Sequence, residues 1–159
     1  MNLLSPRIWS SSRWSFCPAW PPGWRRPGNE KAVRQATARF YSALNTMIAG
    51  QTAPMFEVWS HATDVTYMGP GGGFETGWKA ASSAWQKQAA MKLGGSVKPD
   101  RMTVVVGGNL AVVQNYEIGK NVHVKGTAGT VTIRATTIFR KEDGKWKMIG
   151  DHTDLLPYL

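Results

Sequence analysis

A single cysteine, Cys17, in 159 residues excludes an intrachain disulfide. Thiol chemistry has no support either, because Trp, Pro and Ser surround Cys17 and no partner base stands near it. His61, His123 and His152 have no companion Cys and no His pair at ligand spacing, so no metal is expected. No stretch approaches the ~20 consecutive apolar residues of a membrane span, and no repeat of roughly 20–50 residues is visible, which removes membrane and solenoid architectures. A Gly-x-Ser-x-Gly nucleophile elbow is missing. The run Gly69-Pro70-Gly71-Gly72-Gly73 has neither the Lys-Ser/Thr of a phosphate loop nor the spacing of a dinucleotide fingerprint, and Pro70 removes an amide that would cradle a phosphate. It reads as a flexible turn, and no cofactor is expected.

What is present describes one globular domain, with 42% apolar and 18% charged residues. The net charge of +9 shrinks as a nucleic-acid signal once it is placed along the chain. Residues 1–28 hold Arg7, Arg13, Arg25 and Arg26 and no acid, so nearly half of the surplus lies there. The same segment has four of the eight Trp and five of the nine Pro, and no uninterrupted apolar core of a secretory signal. It is expected to be a disordered or non-native extension, with the folded domain over residues 29–159. Neither nucleic acid nor membrane is an expected partner, and a cytoplasmic location follows.

From Asn29 the pattern turns periodic. Val33, Ala36, Phe40, Ala43, Leu44 and Met47 paint one face of a helix that Asn29 caps and Gly50 ends. A short helix fits Pro54 to Ser60, a strand Val65 to Met68, and a third helix carries Trp78, Ala81, Trp85 and Ala89 on one side. The second half reads as strands over Arg101–Val106, Leu110–Lys120, Gly129–Arg140 and Lys145 to Asp151 or a little beyond, with hairpin turns at Gly107-Gly108-Asn109 and Lys141-Glu142-Asp143-Gly144. Helices first and an antiparallel meander after them argue an α+β fold, with three helices on the concave face of a curved, cone-shaped sheet.

Trp59, Tyr67, Phe74, Trp78 and Trp85 are candidate pocket aromatics. Asn115, Glu117, Arg134, Thr136, Asp151, His152 and Asp154 are polar groups in otherwise apolar strands, as a half-wet sheet also carries on its water side. A four-residue loop at Lys141–Gly144 brings Arg134 opposite Asp151; a three-residue loop brings it opposite His152. One residue of slip exchanges the two faces, so both registers stay open.

The stretches "ARFYSALNTMIAGQ", "DVTYMGPGGGFETGW" and "FRKEDGKWKMIGDHTD" resemble the nuclear transport factor 2-like superfamily, in its SnoaL-like and ketosteroid-isomerase-like branch. The resemblance spans Asn29 to Leu159. It implies an α+β cone with one deep, mostly apolar pocket and a homodimeric assembly, to which valines on both faces, such as Val104, Val105, Val112 and Val113, lend weight. The fold serves isomerases, cyclases, dehydratases and non-catalytic association modules alike. The isomerase's general base, an Asp before a Pro at the end of the first strand, is replaced here by Gly69 before Pro70. Its oxyanion acid falls near Ala135 or Thr136, and neither is acidic. The helix tyrosine has a counterpart in Tyr41.

Two expectations follow. The first is an isomerase-, cyclase- or dehydratase-like enzyme acting on a hydrophobic, ring-containing molecule packed by Trp59, Tyr67, Phe74 and Trp78. There His152 or Asp151 serves as acid/base, Arg134 polarises it, Tyr41 or Asn115 donates to a substrate oxygen, and Thr136 adds a polar contact. The second is a ligand-binding or dimeric association module with no catalysis.

Overall fold

A computed structural model describes residues 27–124 and 126–156. The expected disordered extension over residues 1–28 lies, up to residue 26, outside the described residues. Helix α1 spans Pro27–Ile48, beginning two residues before the expected Asn29 because Pro27 already has the fixed φ that suits a first turn. Helix α2 covers Ala53–Val58 and α3 covers Trp78–Ala90. The strands are β1 Thr66–Met68, β2 Glu75–Thr76, β3 Ser96–Gly107, β4 Leu110–Val124, β5 Thr127–Glu142 and β6 Lys145–Leu156. They form one curved sheet in the order β2-β1-β6-β5-β4-β3. All pairs are antiparallel except β1 with β6, which the long connection through α3 and strands β3–β5 allows to run parallel.

The apolar face of α1 lies against the sheet as its periodicity predicts: Val33, Ala36, Phe40, Leu44 and Met47 are buried. Asn45 clamps the helix to the sheet edge, since its Nδ2 donates to Val97 O at 2.9 Å and its Oδ1 accepts from Val97 N at 2.7 Å. Trp59, Tyr67 and Trp85 form an aromatic wedge beneath α3, with Tyr67 and Trp85 ring centroids 4.0 Å apart and Trp59 and Trp85 5.6 Å apart. Arg140 bridges Asp64 and Glu142, and Ser60 Oγ donates to Glu142, so the segment after α2 is tied to the β5–β6 hairpin.

Three pairing irregularities bend the sheet, between Asp100 and Thr103, between Gly119 and Val122, and between Ile138 and Phe139. The third decides the site. The β5–β6 turn has two residues, Asp143 and Gly144, both at positive φ as a tight hairpin turn requires. This turn moves the pairing past either register considered from the sequence, and the bulge at Ile149 moves it one residue further. Arg134 therefore faces Asp154, Thr136 faces His152 and Thr137 faces Asp151.

Candidate functional site

Above its turn, β6 alternates with Trp146 and Met148 inward, a parity that would carry on to Gly150 and His152. The extra residue Ile149 breaks it, so Met148 and Asp151, three apart, both point under the helices. Asp151 is 3% exposed, and its Oδ1 accepts a hydrogen bond from Thr137 Oγ1 at 2.9 Å. On β4 the inward set is Ala111, Val113, Asn115 and Glu117, and Glu117 is 4% exposed. Tyr41, from α1, reaches down between them. Its hydroxyl donates to Glu117 Oε1 at 3.1 Å and accepts from Asn115 Nδ2 at 2.7 Å. Asn115 spends its other proton on Tyr116 O at 2.8 Å.

Glu117 and Asp151 line a common internal cavity of about 90 Å³. Its apolar walls come from Phe40, Leu44 and Ile48 of α1, Trp85 of α3 and Val97 of β3, while half-buried Pro70 and Leu93 mark the side where it nears the surface. No Lys, Arg or His lines it, and neither acid forms an ion pair among the described residues. Burial pushes the Glu117 carboxyl up to about 7, against a smaller downward pull from the Tyr41 hydrogen bond. Burial, and then the neighbouring Glu117, raises Asp151 well above the usual carboxylate range. Burial likewise raises the phenols of Tyr41 and Tyr67, so both stay neutral donors and acceptors.

The residues singled out from the sequence divide between two places. Tyr67 lines the cavity, where its hydroxyl accepts from Gln88; Asp151 lines it too, and Tyr41 and Asn115 stand behind Glu117. Trp59 is core, packed on Trp85. Trp78 stacks on His61 at 4.1 Å on the other side of α2, and Phe74 is 66% exposed. Arg134, Thr136 and His152 lie on the outer face of the sheet. There Arg134 Nη2 is 3.5 Å from Asp154 Oδ2, His152 Nε2 is 3.4 Å from Asp154 Oδ1, and both side chains are about half exposed. A shallow depression of about 490 Å³ on that face includes them. Glu117 carried no role in the sequence reading beyond being a polar strand residue. Its spacing of two from Asn115 was the one available signal that the pair shares a face.

A Cβ at Gly69 would stand 2.5 Å from the Tyr67 hydroxyl oxygen, so Tyr67 occupies the space that an acid before Pro70 would need. The two buried carboxyls of the cavity, Glu117 and Asp151, stand at other positions, on β4 and β6.

Among the described residues no helix is long and apolar enough to cross a membrane, and no group of three His, Cys, Asp or Glu could hold a metal. No curated protein matches the chain. Solved structures do. One is a candidate calcium/calmodulin-dependent protein kinase type II association domain from Thiobacillus denitrificans, 19% identical over 78% of this chain and 94% of that one, with a TM-score of 0.67. Another is a candidate dehydratase of the nuclear transport factor 2-like family from Streptomyces avermitilis, 19% identical over 82% and 98%, TM-score 0.65. A third, from Novosphingobium aromaticivorans, has a cystatin-like fold, 20% identity over 84% and 85%, and a TM-score of 0.64. At these identities the likeness is one of fold. The SnoaL-like domain pattern matches residues 33–154, from the first inward residue of α1 to the outer end of β6, and the chain belongs to that SnoaL-like family, with the nuclear transport factor 2-like, cystatin-like fold of these structures.

Proposed function

We propose that the chain catalyses proton transfer on a small neutral carbonyl compound held in the inner cavity, chemistry of the isomerase, cyclase or dehydratase class. The observation that carries this reading is the sharing of one cavity by two buried carboxyl groups with no cation beside them. Enolisation needs a base to take a proton from carbon and a neutral acid to hydrogen-bond the enolate oxygen. Glu117, near neutrality, is the base. Asp151, held protonated, donates to the oxygen. The proton taken by Glu117 returns to a second carbon in an isomerisation, or leaves with a hydroxyl group as water in a dehydration. Tyr41 and Asn115 have spent their protons, so they position Glu117 rather than touch substrate. A dry cavity of about 150 Å³ accepts benzene. One of about 90 Å³ takes the reacting end of a substrate, with any larger apolar part toward Pro70 and Leu93.

The test is exchange of α-protons in deuterated water, followed by NMR across a panel of small ketones and enones. Exchange should rise with pH and level off near neutrality, and Glu117→Gln should slow it by about 100-fold or more. A Glu117→Gln protein that exchanges as fast as the wild type would falsify the assignment.

A homodimer joined through the Val105, Val112 and Ile138 end of the outer sheet face, with the Arg134–Asp154 pair outside the contact, is the working unit under this reading. Support comes from Val105, 60% exposed, beside half-buried Val112 and Ile138 on the same face. Sedimentation should find a dimer at micromolar concentration, converted to monomer by Ile138→Asp.

A further inference from the structure

Glu117 and Asp151 each commit one oxygen to the protein, Oε1 to the Tyr41 hydroxyl and Oδ1 to Thr137. The second oxygen of each accepts no hydrogen bond from any described residue, although both residues are more than nine-tenths buried and line the cavity. The titratable groups that face them are Tyr41 from α1 and Tyr67 from β1, both neutral; α3 contributes Gln88, whose amide is turned to Tyr67. The rings of Phe40, Tyr67 and Trp85 form the wall beside them. Two acceptors without donors, lining the cavity next to aromatic faces, complement a group that brings N–H bonds and positive charge.

We propose that the cavity binds small organic ammonium ions, a secondary ammonium placing its two N–H bonds on the free oxygens of Glu117 and Asp151 and its carbons against Phe40, Tyr67 and Trp85. The inference rests on the cavity of the preceding reading but not on its chemistry. Such ions are ligands, and competitors of a carbonyl substrate.

Cation and protons compete for the same oxygens, so binding must release protons and weaken in acid. The probe is pyrrolidinium chloride, with tetrahydrofuran as a neutral ring of the same shape, titrated calorimetrically into the full-length chain. Pyrrolidinium should bind about tenfold or more tightly at about pH 8 than at about pH 5.5, and buffers of different ionisation heat should register the released protons. At about pH 8 tetrahydrofuran should bind more weakly than pyrrolidinium. Glu117→Gln should lose most of the pyrrolidinium affinity, with Asp151→Asn as the second variant should the first fail to fold. Asp154→Asn, on the outer face, should leave it unchanged. The proposal is overturned by an absence of pyrrolidinium binding at about pH 8, by equal affinity at both pH values, or by equal affinity in the Glu117→Gln protein. Carbonyl exchange is measured without amine, so the two readings fail separately. Exchange without amine binding removes this inference alone, and amine binding without exchange removes only the catalytic one.

Discussion

The two faces of β4, β5 and β6 carry polar residues of the same kinds and put them to opposite use. Inside, Thr137 meets Asp151, and Asn115 and Tyr41 meet Glu117, all buried. Three positions along the same strands, outside, Arg134 meets Asp154 and His152 lies beside it, all partly wet. Water screens the outer charges, so they stay ordinary solvated pairs worth little. The inner acids lose hydration without gaining a cation, and that loss pushes Glu117 up to about 7 and raises Asp151 well above the usual carboxylate range. How readily an acid in this domain gives up its proton is therefore set by the face on which it falls rather than by its type.

Adjacent residues give the harshest way to break that comparison. Val113 is fully buried on the inner face and Gln114 is exposed on the outer one. Val113→Asp buries an unpaired carboxyl in the apolar inner face, and should cost about 4 kcal/mol or more, enough to abolish cooperative folding. Gln114→Asp should cost about 1 kcal/mol or less, the range of strand preference alone. Chemical denaturation of both proteins measures the contrast, and similar losses would mean that the two faces are not so different.

The elements themselves were legible in the sequence: three helices, their buried faces and the four long strands follow from period and turn chemistry. The inward set was not, for two physical reasons. On β4 the outward residues Val112, Tyr116 and Ile118 are more apolar than the inward Asn115 and Glu117, so hydrophobic alternation points to the wrong face. On β6 the inward parity set by Trp146 and Met148 predicts His152 inside until the bulge at Ile149 delivers Asp151 instead. Nothing in the side chain of Ile149 announces a bulge. The site was thus hidden by a backbone irregularity, while its tyrosine, Tyr41, stood on an unambiguous helix.

Titration separates the faces next. Glu117 has a folded value of about 7 against an ordinary 4.5, and Asp151 is also raised, so the folded protein binds more protons than the unfolded chain over that interval. Stability is then greatest in mild acid and falls as pH rises from about 4.5 through about 7, by on the order of 3 kcal/mol. Denaturation midpoints across that range should show the decline. Glu117→Gln, which keeps an acceptor for Tyr41, should be more stable than the wild type at about pH 8 and flatten the profile.

A smaller effect comes from the relay behind Glu117. Tyr41→Phe removes the hydroxyl that accepts from Asn115 and donates to Glu117, leaving a buried amide proton and a carboxyl oxygen without partners. The loss should be roughly 1–3 kcal/mol. Because that hydrogen bond lowers the Glu117 value, its removal should also move the falling limb of the stability profile to higher pH. Tyr41→Phe with an unmoved profile would reduce Tyr41 to a packing residue.

Arg134 and His152 set the lower end of the scale. Arg134 has the charge that a substrate carbonyl would welcome, which made it attractive in the sequence, yet its guanidinium stands on the outer face beside Asp154 with half its surface in water. An exposed pair of this kind contributes about 0–1 kcal/mol, and salt erodes it further. Arg134→Ala and His152→Ala should each shift stability by about 0.5 kcal/mol or less and leave α-proton exchange unaltered, since neither side chain reaches the cavity. Exchange rates cut about tenfold by either substitution would show that the outer face takes part in the chemistry, and the division between a catalytic inner face and a solvated outer one would then be wrong.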